Sequence, residues 1–331
     1  MIGSIQHLAE AIKEDLLEVL PYQRKTQRDK LSLLVATMLH VRSANTMDLA
    51  ASLPIATERI DMRYQWISRF LGNELVNIHK IIDPFACFVL RQLEKIQSCV
   101  VLIIDQTQAS SELQVLMVSV RFGQRAIPLA WCVKKTQGNI GFEDQKFLLD
   151  KVTSYLPSNI CVVLMGDRFF GTVDLIEYCK FKNWDYRLRL KNNLIVGHGL
   201  QELKIKDLEP AGEYFLEHAT LTGLREQTNI AVIHEEGHEE AWIIAMNKKP
   251  DFYKALDYGM RWSTEPMFSD FKTRGFGLED THLHYPDRLE KLILVMAIAM
   301  IWAVFSGLWD AIIHSLPYET KPSTLKKPIA A

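Results

Sequence analysis

The 331-residue sequence has no excess of either charge, since 38 Lys and Arg face 40 Asp and Glu for a net charge of −2. Bulk attraction to nucleic acid or to anionic membranes is thereby excluded, and any surface for a polyanion has to be a local patch. Cysteine is sparse: Cys87, Cys99, Cys132, Cys161 and Cys179 are odd in number and show no Cys-x-x-Cys spacing. That pattern fits neither a disulfide framework nor a cysteine zinc site, so reduced and mostly buried thiols in a cytoplasmic protein are expected. The opening run MIGSIQHLAEAIKEDLLEVL lacks the basic start and apolar core of an export signal, and export is not expected. No internal repeat is visible. Long apolar runs are absent but for one, LILVMAIAMIWAVFSGLW at 292–309, about as long as the short limit for a membrane span. With Lys291 before it, Asp310 after it and no second span, it reads as a helix buried in the core rather than a membrane segment.

Hydrophobic residues make up 48% of the chain, enough for a large core, and its length suggests about two or three domains. Residues 1–97 read as helices, with apolar residues at helical spacing in LAEAIKEDLLEVL, DKLSLLVATMLHV and FACFVLRQLEKI, punctuated by Pro21, Pro54 and Pro84. Within them ANTMDLAASLPIATERIDMRYQWISRFL suggests two short helices joined at Leu53–Thr57, with Arg59, Arg63 and Arg69 on the second. A helix-turn-helix reader of DNA and a plain packing unit both fit this pattern.

From Cys99 the texture changes. CVVLIIDQT is an apolar run typical of a central strand, and LQVLMVSVRFG and AIPLAWCVKKT follow as a hairpin around Gly123–Arg125. A helix (GFEDQKFLLDKVTSYL), a buried strand (ICVVLMGD), a helix (TVDLIEYCKFKN) and a strand (YRLRLK) come next. Three strands, helix, strand, helix, strand is the order of a ribonuclease-H-like mixed sheet. The expected fold is therefore α/β, with an all-α N-terminal domain (1–97), a catalytic domain (98–191 and 251–315), a β-rich insertion (192–250) and a loose basic tail (316–331).

Asp105 ends the apolar strand CVVLIID and Asp167 follows ICVVLMG. An acid at the end of a buried strand is costly unless it is paired or binds a metal. Either Asp taken singly also fits a loop start or a helix cap. Phosphodiester chemistry on two metals needs carboxylates holding hard cations about 3.5–4 Å apart. Mg²⁺ takes oxygen ligands and keeps several waters, so two or three acids suffice.

A third acid lies in YGMRWSTEPMFSDFK, where Tyr258, Arg261, Glu265 and Lys272 are 3, 4 and 7 residues apart. On a helix this spacing puts the four along one face, a carboxylate beside a phenol and two cations; an ordinary Arg261–Glu265 ion pair is the simpler account of two of them. In this run, together with Asp105 in IIDQT and Asp167 in GDRFF, the chain resembles the DDE transposases of bacterial insertion sequences that carry the Tyr-Arg-Glu-Lys signature, the insertion sequence four family. The resemblance covers roughly residues 97–310 and is weaker over the N-terminal helices.

The resemblance implies a DNA transposase that hydrolyses transposon ends and transfers the freed 3′-OH into target DNA. It implies Asp105, Asp167 and Glu265 as catalytic ligands of Mg²⁺, for which Mn²⁺ may substitute. Tyr258, Arg261 and Lys272 would hold the transposon end, with Arg168 in support. The partners would be double-stranded DNA, transposon ends and target, and a second subunit in a homodimer; no membrane is expected. A DNA-binding derivative that has lost catalysis is the alternative reading. The family stacks a flipped base on an aromatic of its insertion, for which Tyr214, Phe215 and Trp242 are equal candidates.

Arg187, Arg189 and Lys191 alternate along YRLRLK and so share one side of a strand, which fits either a DNA surface or a charged edge. His234-Glu-Glu-Gly-His238 formally matches the zinc-peptidase pattern, which needs a helix to align its two imidazoles. Between two strand-like runs it reads instead as a hairpin turn.

Overall fold

A computed structural model describes residues 2–199, 201–207, 212–221, 226–234 and 240–314. His238 and the 316–331 tail lie outside them.

The N-terminal region is helical: α1 (Ile2–Val19), α2 (Lys25–Val41), α3 (Thr46–Ser52), α4 (Ile60–Leu71) and α5 (Ile78–Glu94). Asn45 and Asn77 cap α3 and α5, accepting from the backbone N–H of Met47 and Lys80. Pro84 does not punctuate as expected but lies inside α5. The helix tolerates it because one face, including Ile81, Ile82, Phe85, Val89 and Leu90, is buried, and packing outweighs one lost backbone bond. The α3–α4 pair forms with its connection where expected. Arg63, however, turns inward to the carbonyls of Thr57 and Ala51, and Arg59 pairs with Asp61.

Among the described residues ten strands form one mixed sheet: β1 (Cys99–Gln108), β2 (Leu113–Phe122), β3 (Arg125–Lys135), β4 (Cys161–Gly166), β5 (Asp185–Arg189), β6 (Ile195–His198), β7 (Gln201–Lys204), β8 (Glu213–Leu221), β9 (Glu226–Ile233) and β10 (Trp242–Met246). Their order is β3-β2-β1-β4-β5-β10-β9-β8-β6-β7. β1, β2 and β3 are antiparallel, the β2–β3 hairpin turning through Gly123 at φ +62°, a conformation that favours glycine. β4 runs parallel to β1, and β5 parallel to β4. The described strands of residues 192–250 join the main sheet: β10 pairs antiparallel with β5, and β9, β8, β6 and β7 extend the same sheet outward.

The remaining helices are α6 (Phe142–Thr153), α7 (Val173–Phe181), α8 (Phe252–Leu256), α9 (Thr264–Phe271) and α10 (Pro286–Ile313). α10 is long and apolar enough to cross a membrane by length and composition. In this fold its Leu292–Ile301 stretch is buried, packing on β3, α2 and α5, whereas Leu308, Trp309, Ile312 and Ile313 at its end are exposed. Glu290 of α10 closes the sheet edge, its Oε1 accepting from the β3 backbone N–H of Val133 at 2.8 Å. The N-terminal helices share one continuous hydrophobic core with the sheet and α10.

Candidate active site

The site is built on the register between β1 and β4. Cα partners run from Cys99↔Cys161 to Ile104↔Gly166, so Asp105 and Asp167 are the next two residues in line. β1 does not stop at Asp105 as its apolar run suggested: it continues to Gln108, Asp105 pairing with Met117 of β2. Gln106 then fixes the loop before α6, donating to the Gly138 carbonyl at 3.1 Å and accepting from Ile140 N–H at 2.9 Å.

After β4 the chain turns sharply. Asp167 Oδ1 accepts from Phe169 N–H at 2.8 Å, and two glycines bracket the turn. A Cβ on Gly166 would stand 2.7 Å from Phe170 Cβ, and one on Gly171 would stand 2.1 Å from the Arg189 carbonyl oxygen. The glycines therefore let the Asp167 turn lie against β5, a requirement readable in MGDRFFG only once the neighbouring strand is known.

The signature run is not one α-helix. Asp257–Ser263 is a 3-10 turn, α9 begins at Thr264, and Lys272 caps α9 at its C-terminus. Arg261 nevertheless joins two of the acids, its Nη1 3.2 Å from Asp105 Oδ2 and its Nη2 3.5 Å from Glu265 Oε1. The Asp105 side chain is only 14% exposed, and that of Glu265 is 63% exposed. Burial pushes the Asp105 carboxyl up to about 6; Arg261 opposes the rise and Asp167 adds to it, as does Glu265 to a smaller extent.

Tyr258 is 2% exposed, and its hydroxyl is buried with no hydrogen-bond partner, as is Arg261 Nε. Burial pushes the phenol up to about 12, so it stays a donor. The Arg261 guanidinium carbon sits 5.7 Å from the Tyr258 ring centre, and the ring is held by Trp242 edge-on at 5.5 Å. Buried unpaired donors are rare in folded proteins, and two beside the Asp105 carboxylate are suited to donating to ligand oxygens. Lys272 is not gathered into this group: it pairs with Glu279 at 2.7 Å.

The acids suit a hard divalent cation in kind, an all-oxygen donor set. As they stand, among the described residues, no three His, Cys, Asp or Glu side chains lie close enough to hold one. Glu265 is held by Arg261, the cation now compensating Asp105.

The basic strand needs a correction. Arg187 is 5% exposed, donating through Nε to the Lys254 carbonyl and through Nη1 to that of Tyr186, so it lies inside the fold and offers nothing to a surface ligand. Alternation placed Arg187 and Arg189 on one side, but the segment around α8 covers Arg187, its Lys254 carbonyl accepting from Arg187 Nε. Arg189 and Arg168 instead meet at one oxygen, each 3.2 Å from Glu240 Oε2. With Lys191, Asn192 and Asn193 they line a cavity of about 250 Å³. Glu240 was not singled out from sequence, since nothing local marks an acid as the partner of bases about 50 and 70 residues away. Among the aromatics, Trp242 is 6% exposed and unavailable to a base, while Tyr214, Phe215 and Trp262 are exposed.

No curated protein matches the chain. Among solved structures it is similar to Ciona intestinalis endonuclease V in complex with a 24mer DNA containing an inosine followed by a ribo-adenosine, at 14% identity over 63% of this chain and 87% of that one. A TM-score of 0.28 makes that likeness too loose to bear on fold or function. Residues 141–302, which include Asp167, Glu265 and the whole signature run but not Asp105, match the model of the transposase DDE domain, and the match supports a DDE transposase.

Proposed function

We propose that this protein is a metal-dependent DNA transposase of the insertion-sequence type with the Tyr-Arg-Glu-Lys signature, cleaving at transposon ends and joining the freed 3′-OH to target DNA. The observation that carries the reading is the placement of Asp105 on β1 and of Asp167 directly after the parallel strand β4, near enough for Asp167 to raise the Asp105 carboxyl, with Arg261 linking Asp105 to Glu265. The order β3-β2-β1-β4-β5, antiparallel then parallel, supports a ribonuclease-H-like core, with β6–β10 as its insertion.

Asp105, Asp167 and Glu265 would hold Mg²⁺, or Mn²⁺ in its place, and the ion when bound would polarise the phosphate and the attacking oxygen. Glu265 is exposed at the start of α9, and holding the ion would require it to leave Arg261. Arg261, so released, and the Tyr258 hydroxyl would donate to phosphate oxygens, the guanidinium in the forked manner that suits them. Arg168, Arg189 and Lys191 would track the DNA backbone, with Lys272 at the edge once freed from Glu279. The helices of residues 1–97 would bind or pair the ends, a two-fold assembly being natural for symmetric sites.

A catalytically silent DNA-binding derivative is favoured by one observation, the engagement of Glu265 with Arg261 rather than with the aspartates. Cleavage of a duplex bearing the element's own terminal repeats, with Mg²⁺, Mn²⁺ or EDTA, separates the two. Metal-dependent nicks at the repeat boundary, absent in Glu265→Gln, are expected; specific binding without cleavage by the wild type would sink the catalytic reading.

A further inference from the structure

The register that brings Asp105 beside Asp167 also brings two thiols together at the other end of the same strands. Cys99 opens β1 and Cys161 opens β4, directly paired across the parallel ladder, with their sulfurs 2.8 Å apart. Adjacent strands lie about 4.8 Å apart, within the Cα range a disulfide spans, and both residues begin their strands, where the ladder yields most easily. Cys161 is exposed and Cys99 half-buried. A cavity of about 570 Å³ opens beside Cys161 and one of about 240 Å³ beside Cys99, so small reagents reach the pair from two sides.

We propose that Cys99 and Cys161 form an oxidisable dithiol, a redox clamp joining the two strands whose far ends carry Asp105 and Asp167. The oxidant is a low-molecular-mass disulfide. The Cys161 thiolate attacks one of its sulfurs, the S–S bond breaks, one thiolate leaves, and a mixed disulfide stands on Cys161. The Cys99 thiol gives up its proton to solvent and attacks the Cys161 sulfur, expelling the second thiol. Two protein thiols are oxidised to one disulfide and one small disulfide is reduced to two thiols. The order of attack follows from environment: burial and the hydrogen bond with Cys161 push Cys99 up to about 12, leaving the exposed Cys161 as the first nucleophile.

The test is thiol counting on the full chain before and after oxidised glutathione, read after denaturation. The five thiols should fall to three and return to five with dithiothreitol. A non-reducing digest should yield one crosslinked pair of peptides carrying Cys99 and Cys161. Because the bond closes a loop of 62 residues, the oxidised form should melt above the reduced form. Cys161→Ser should lose both the crosslink and the melting shift, whereas Cys87→Ser should keep them. Five thiols retained under excess oxidant, a glutathione adduct on Cys161 with no crosslink, or a crosslink through another cysteine would each overturn the proposal.

Discussion

Replacing Asp105 by Asn should stabilise the metal-free protein while abolishing the proposed metal-dependent cleavage. Burial raises the Asp105 carboxyl from its ordinary 3.8 to about 6. A folded-state pKa above the unfolded one means the fold binds this proton more tightly than the open chain does. Stability from this group is therefore full below about 3.8, falls as pH rises toward 6, and stays low above it. At about 1.4 kcal/mol per unit, the two-unit rise sets a deficit of roughly 3 kcal/mol at pH 8. Asn carries no charge to desolvate but leaves Arg261 without its 3.2 Å partner, which trims the gain to about 1–2 kcal/mol. For a chain of this size that is a rise of about 1.5–3 °C in melting temperature. The assay is thermal unfolding of both proteins in EDTA from pH 4.5 to 8, with Mg²⁺ then added at pH 8. The Asn variant's gain over wild type should grow as pH rises from about 4 and level off above about 6, and Mg²⁺ should raise the wild type alone. A variant that melts at or below wild type at pH 8, or a gain equally large at pH 4.5, would refute the idea that a desolvated carboxylate is held here at a cost to the fold.

Two further outcomes follow from the surroundings of the site. Gly166→Ala forces a Cβ to 2.7 Å from Phe170 and should cost about 1–3 kcal/mol in denaturant unfolding, whereas Gly138→Ala, with open space around it, should be near neutral; equal effects would discredit the packing account of the Asp167 turn. Glu240→Gln removes the acid shared by Arg168 and Arg189, so DNA should bind more tightly at low salt and with a steeper salt dependence; an unchanged salt slope in a binding titration would remove these two arginines from the DNA path.

Much of the frame was legible because local periodicity carries it. CVVLIID and ICVVLMG are apolar runs too short for helices, and both are central parallel strands, β1 and β4. The Gly123 hairpin and helices α1, α2, α6 and α7 fall where spacing and turn residues put them. Other features depend on partners remote in sequence. Strands of residues 192–250 read as an insertion, yet nothing in WIIAM says that β10 pairs with β5 rather than closing a sheet of its own. The spacing of Tyr258, Arg261, Glu265 and Lys272 marks a helical face, but the break into a 3-10 turn at Ser263 depends on how the segment packs against β4 and β5.

The sequence by itself determined which residues are chemically notable: the two strand-end aspartates, the spaced signature, and an apolar helix that had to be buried or membrane-bound. Residue type and short-range spacing are written into the chain, and hydrophobic burial acts on them directly. The tertiary structure alone decided which of these residues meet. It set Asp105 beside Asp167, Arg261 between Asp105 and Glu265, Arg187 inside the fold and Cys99 against Cys161. Strand order and register are long-range choices, made by the packing of the whole sheet, and a one-residue slip would have paired other side chains.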